Sequence, residues 1–219
     1  MKLLLTSNGI SNPSIAKALF ELVEKKPEDT SLVFIPTAAT IVPGNKDWFI
    51  DDLNNLHKLG LKSISITDIS AVPENIWRPQ IEEADVIFFE GGNTYHLMDW
   101  VNKSGLATLL PEFLKTKVYV GVSAGSLITN PKIGQSISKI VNDLDSKNEF
   151  SNMEALNLVD LYSIPHLNSP HFLKTREENI KKIADFLQKK VYALDDNSSL
   201  KIVDDKVEVI SEGEYLEFN

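Results

Sequence analysis

The chain has 219 residues, 42% of them hydrophobic and 24% charged, which is enough apolar material for one sizeable core. Its formal net charge is −9, from 31 acidic against 22 basic residues, and without a Lys/Arg block this argues against a nucleic-acid or anionic-membrane surface. Cysteine is absent, so disulfides, thiolate metal sites and a cysteine nucleophile are excluded together, and a reducing, cytoplasmic setting is expected.

The first apolar run, "KLLLT" at 2–6, reads as a buried strand and stops at Thr6 and Ser7, too early for a signal peptide. No window approaches the ~18 apolar residues of a membrane span. A helix is expected from about Asn12, with Pro13 suited to its first position and Ile15, Leu19, Leu22 and Val23 on one face. Further strands are expected at 31–38, 63–69 and 85–91, an amphipathic helix at 47–60 ended by Gly60, and helices over 94–103 and 106–115. A strand follows at 117–121. The pattern weakens over 131–160 and returns with "LVDLYSIPH", a helix near 174–189, "VYALDD" and a hairpin turning at Asp204 and Asp205. Alternating strands and helices with near-continuous apolar strands predict one α/β domain over 1–219. Its sheet is mostly parallel, with helices on both faces and a C-terminal β-hairpin.

"GVSAG" at 121–125 fits G-x-S-x-G, in which a strand turns sharply into a helix and presents a hydroxyl. Side chains at 121 or 125 would collide in so tight a turn, and the next helix offers free N–H groups and a positive dipole end. The plain alternative is a tight turn with a solvated serine, about equally common for this pattern alone.

A serine nucleophile needs a base, and the base an orienting acid. Of the four histidines, His57 lies on an amphipathic helix and His96 on the helix after "GGNT". His166 follows an apolar strand, where a parallel sheet presents its functional loops, and is the better base, with His171 in reserve. Asp195 and Asp196 end another apolar strand, and adjacent strand residues face opposite ways, so one of the two is the candidate acid. Gly91 and Gly92, after the strand at 85–91, leave amides exposed for an oxyanion before a helix that Asn93 or Thr94 can cap. The absence of G-x-G-x-x-G and of a Walker-type lysine makes a nucleotide site a poor fit.

"EGGNTYHL", "GVSAGS" and "IPH…TREENI", in that order on this scaffold, resemble the peptidase E family of serine peptidases, aspartyl dipeptidases related to cyanophycinases. The resemblance spans almost the whole chain. It implies a flavodoxin-like, class I glutamine amidotransferase-like fold. An α/β-hydrolase is disfavoured because its order is Ser, acid, His, and no histidine here follows 171. Carried over by position, Ser123 matches the nucleophile, His166 the base, and Gly92 and the Ala124 amide the oxyanion donors, with Gly91 beside them. Asp196 falls where relatives place the third member, often a glutamate; Asp195 and Asp143 are the other candidates. Arg176 matches an arginine that grips the carboxylate of an N-terminal aspartate, and Asn93 is placed with it among substrate-binding residues. No metal or cofactor is implied, and the partner is a small peptide, with no nucleic acid or membrane, on a monomer or homodimer.

Three features depart from the family pattern. Glu90 stands where relatives often carry a third glycine and adds a negative charge near the cleft. Ser136 and Ser138 stand where relatives carry an acid after the nucleophile helix, and the segment 135–153 is longer than in short dipeptidases. The expected function is therefore hydrolysis after an N-terminal acidic residue through an acyl-enzyme. The alternatives are another substrate for the same serine chemistry (an isoaspartyl or cyanophycin-like peptide, or an ester) and a non-catalytic binding module.

Overall fold

The computed structural model describes residues 1–134 and 152–219. Strand β1 (Lys2–Thr6) is followed by α1 (Pro13–Val23), β2 (Ser31–Ile35), a short α2 (Thr37–Thr40), α3 (Asp47–Lys58) and β3 (Ser63–Ile66). Next come α4 (Glu74–Glu83), β4 (Val86–Phe89), α5 (Thr94–Lys103), α6 (Leu106–Phe113), β5 (Val118–Val122) and α7 (Ala124–Leu127). β6 (Lys132–Gly134) pairs antiparallel with β7 (Asn152–Glu154). The chain continues through β8 (Tyr162–Ile164), α8 (Glu177–Leu187), β9 (Val191–Leu194), β10 (Ser198–Val203), β11 (Lys206–Ser211) and β12 (Tyr215–Phe218).

The main sheet has the order β11-β10-β1-β5-β4-β2-β3. Its five strands from β1 to β3 are parallel, and the hairpin β10/β11 adds antiparallel at the β1 edge, with Asp204 at φ 52° in its turn. Alternation divides the apolar strands between two cores. Leu5, Ile35, Phe89 and Tyr119 face α4, α5 and α6, while Leu4, Phe34, Phe88 and Val120 face α1 and α3. Both faces are therefore covered, which is why these strands lack a polar side. Helix α1 starts as its sequence requires: the Asn12 side chain accepts from the Ile15 amide, with Pro13 in the first turn.

One expectation is corrected. The strands at 162–164 and 191–194 do not extend the main sheet; β8, β9 and β12 form a separate three-stranded sheet. The hairpin β10/β11 already occupies the β1 edge of the main sheet, and the Asn130 side chain takes both backbone groups of Ser163, accepting from its N–H at 3.0 Å and donating to its carbonyl at 3.2 Å. Helix α4 lies where the sequence pattern gave no element, because Pro79 removes a helical donor. Trp77 and Ile81, four residues apart and both buried, hold that helix on the sheet.

At the end of β5 the glycines leave space for backbone. A Cβ on Gly121 would stand 2.6 Å from the Gly125 carbonyl carbon, and one on Gly125 would stand 2.3 Å from the Phe89 carbonyl oxygen. Gly121→Ala is therefore expected to destabilise the fold by about 1–3 kcal/mol, the range for overpacking a tight interior, read as a lower urea midpoint at unchanged m-value.

Candidate active site

The turn out of β5 is built to lift one residue. Ser123 has φ 46° and ψ −99°, a conformation that L side chains rarely adopt and that persists only where the surroundings impose it. Those surroundings are hydrogen bonds. The Ser123 N–H donates to the Thr6 carbonyl at 3.0 Å, the buried Ser126 hydroxyl lies 2.8 Å from the carbonyls of both Thr6 and Gly121, and the Tyr119 hydroxyl donates to the Gly125 carbonyl at 2.6 Å. Strand β1 thus pins the turn on one side and α7 on the other.

His166 stands two residues beyond β8 with φ 66°, also in the left-handed region. Its Nε2 is 2.9 Å from Ser123 Oγ and its Nδ1 is 2.7 Å from Asp196 Oδ1. With a carboxylate facing Nδ1, that nitrogen carries the proton, and Nε2 presents its lone pair to the serine hydroxyl. Burial pushes the Asp196 carboxyl up, but the hydrogen bond and charge of His166 outweigh it and hold Asp196 below the usual aspartate range. The aspartate therefore reaches the imidazole directly, without a bridging water.

The other candidates are placed elsewhere. Asp195 accepts from the Asn197 and Glu214 amides and the Ser198 hydroxyl, a turn-forming role on the opposite side of the chain. Asp143, Ser136 and Ser138 lie outside the described residues. His57 is on α3 and His96 on α5, edge-on to Trp100. Gly91 lies beside Ser123, its Cβ position 3.4 Å from that of the serine. Gly92, at φ 133°, presses on the Ala38 carbonyl, where a Cβ would approach to 2.3 Å. The Ala124 amide opens α7 and so has no acceptor within that helix. Asn93 Oδ1 caps α5 by accepting from the His96 amide, leaving the Nδ2 group as its other polar atom. Arg176 spends three hydrogen bonds on its own loop, from Nη1 to the carbonyls of Phe172 and Thr175 and from Nη2 to that of Ser169.

Glu90 differs from its sequence reading. Its side chain is fully buried and faces Asp52 of α3, itself 5% exposed. The Gly91 amide and the Asp52 side chain are the groups that reach the Glu90 carboxyl, and two buried carboxyls this close disfavour each other's ionised forms. Burial, then the Asp52 charge, pushes Glu90 well above its ordinary value, and burial raises Asp52 to about 6. Both causes favour the uncharged form of Glu90.

Four supporting residues were assigned no role from the motifs. The Ser7 hydroxyl donates to the Leu194 carbonyl at 2.9 Å and accepts from the His166 N–H at 3.3 Å. Ser11 Oγ donates to the Asp196 carbonyl at 2.9 Å. Thr175 Oγ1 donates to the His166 carbonyl, and the Phe172 ring lies flat on the imidazole. Only the "TSNGI" segment, small and polar at the carboxyl end of a buried parallel strand, was a usable cue.

Comparisons with known proteins give the family and the fold. The family model described as Peptidase family S51 matches residues 3–210. The chain belongs to that family. It is 28% identical over 190 residues to Peptidase E of Escherichia coli O6:K15:H31, covering 84% of this chain and 78% of that protein. It is 29% identical over 195 residues to the uncharacterized peptidase Lin0382 of Listeria innocua, covering 86% and 88%. Among solved structures, a protein of Listeria monocytogenes EGD-e described as a candidate peptidase E superposes with a TM-score of 0.79 at 27% identity, covering 97% of this chain and 98% of that one. A peptidase from an acI-B1 Actinobacterium shares the fold, with a TM-score of 0.69 at 18% identity. This member of family S51 is a serine-type peptidase with the peptidase E fold. No helix among the described residues is long and apolar enough to cross a membrane.

Two predictions follow from this geometry. Ser7→Ala removes the link between Leu194 and the His166 amide, and kcat is expected to fall about tenfold with KM little changed, measured by steady-state kinetics. The buried acid pair sets a stability profile. The folded state keeps a proton on Asp52 that the unfolded chain releases between about pH 4 and 6, so stability falls as pH rises through that window, by on the order of 3 kcal/mol. Asp52→Asn is therefore expected to gain on wild type between pH 4 and pH 8 in chemical denaturation; an equal offset at both pH values would contradict this.

Proposed function

We propose that this S51 peptidase hydrolyses the bond after an N-terminal aspartate in short peptides, with Ser123 as nucleophile, His166 as general base and Asp196 as the orienting acid. The observation that carries the proposal is the continuous path from Asp196 Oδ1 through both imidazole nitrogens to Ser123 Oγ, at 2.7 and 2.9 Å. Ser123 Oγ attacks the carbonyl carbon as His166 Nε2 takes its proton, and the imidazolium is stabilised by Asp196. The negative charge on the tetrahedral oxygen falls to the amides of Gly92 and Ala124, with Gly91 alongside. The imidazolium then protonates the leaving amine. A water deprotonated by the same nitrogen attacks the acyl-enzyme and releases the acidic residue, regenerating Ser123.

Specificity is assigned to Arg176 and Asn93. The guanidinium has five N–H groups, and its three hydrogen bonds to loop carbonyls leave an edge for a carboxylate; Asn93 offers its Nδ2. The resemblance to peptidase E proteins supports this preference, and the fixed loop gives the arginine a set position.

Ser123→Ala and Asp196→Asn are each expected to lower kcat by about 10⁴-fold or more. Release of p-nitroaniline from Asp-p-nitroanilide, beside the Glu, Ala and Leu analogues, measures both chemistry and preference. Arg176→Leu is expected to lower kcat/KM for the Asp substrate about 10- to 100-fold more than for the Leu analogue, the range of a charge-assisted hydrogen bond. Equal losses on all four substrates would assign Arg176 to the loop alone.

A further inference from the structure

The loop after His166 contains an aromatic residue that the mechanism above does not use. Phe172 and the His166 imidazole are stacked with ring centroids 3.9 Å apart and planes 1° from parallel. Its neighbour Leu173 is 73% exposed, so the segment is not simply buried, while Phe172 is partly buried against the imidazole. The loop is folded to keep it there. The Phe172 carbonyl accepts from the Thr175 amide at 3.0 Å and from Arg176 Nη1 at 3.0 Å, the Phe172 N–H reaches the Ser169 carbonyl at 3.3 Å, and the Asn168 N–H donates to the Thr175 carbonyl at 2.9 Å.

Parallel rings at this centroid distance are in stacking contact, which neutral and charged imidazole can both make. A cationic ring over the negative face of the phenyl ring is attracted in addition. The stack therefore suits the imidazolium better than the imidazole, and the imidazolium is the form that appears as Ser123 gives up its proton. Its second effect is geometric. With one face of the imidazole covered, rotation of the ring plane is blocked, and Nδ1 and Nε2 stay on the line between Asp196 and Ser123.

We propose that Phe172 is a positioning residue of this peptidase, lying flat on the general base to fix its plane and to favour its charged form in the transition state. This rests on the serine-peptidase reading but not on the aspartyl preference. Phe172 also packs on the apolar cluster of Ile164, Leu167 and Ile180, so a purely structural role must be separated from this one.

The test compares wild type, Phe172→Leu, which keeps apolar packing without the ring, and Phe172→Trp, which restores an aromatic face. Three quantities are read: the thermal midpoint, kcat and KM on whichever anilide is cleaved, and the rate at which a fluorophosphonate labels Ser123. Labelling needs the base but no peptide. Phe172→Leu is expected to lose roughly 2- to 30-fold in both kcat and labelling rate, the span of a cation–π contact between exposed and desolvated settings, with KM within about twofold of wild type. Phe172→Trp is expected to regain most of both. A folded Phe172→Leu that labels and turns over at the wild-type rate overturns the proposal, as does a folded Phe172→Trp no better than the leucine variant. Ser123 unlabelled even in wild type overturns the serine mechanism and this inference with it. Ser123 labelled in wild type while no Asp substrate is cleaved overturns only the substrate preference.

Discussion

The proposed nucleophile and its proposed base follow strands of different sheets, so the 2.9 Å between Ser123 Oγ and His166 Nε2 depends on how one sheet docks on the other. Ser123 leaves β5 in the middle of the main sheet, whereas His166 and Asp196 leave β8 and β9 of the small one. The docking is mostly polar and mostly made by the segment after β1. Ser7 holds Leu194 and the His166 amide, Ser11 holds the Asp196 carbonyl, and the Asn12 side-chain amide holds the Asn197 carbonyl at 3.0 Å. Leu127 of α7 adds an apolar contact with the small sheet's core. Short side-chain hydrogen bonds suit this task because they fix distance and direction together, where apolar packing alone tolerates sliding.

The sequence made the main sheet legible because its physics is local. A buried parallel strand must be apolar on both faces, and runs such as 86–89 and 118–122 announce themselves for that reason. The serine was legible because a tight turn admits only glycine around it. His166 and Asp196 were placed by chain order and resemblance, not by geometry, since nothing local distinguishes a strand of the main sheet from one of a small satellite sheet. Helix α4 was hidden by Pro79, whose local preference is overridden by burial of Trp77 and Ile81. The roles of Ser7, Ser11 and Phe172 were not legible for a different reason: each acts across more than five residues of chain, and two of them across more than 150.

Asp196 and the pair Asp52 and Glu90 show how partners decide the state of a carboxyl. All three lose hydration in the fold. Asp196 faces an imidazole N–H and ends below its ordinary value, whereas Asp52 and Glu90 face each other and end above theirs. Glu90 begins the turn that carries Gly91 and Gly92, so its raised value disfavours a buried negative charge beside the amides proposed to stabilise an oxyanion.

The strained backbone of Ser123 has a consequence for how this site endures. At φ 46° a serine occupies a conformation that glycine enters freely, so replacement by glycine relaxes the turn even as it removes the hydroxyl. Stability and chemistry pull in opposite directions at this one residue. Holding a hydroxyl at the tip of this turn therefore costs backbone strain that a glycine would not bear.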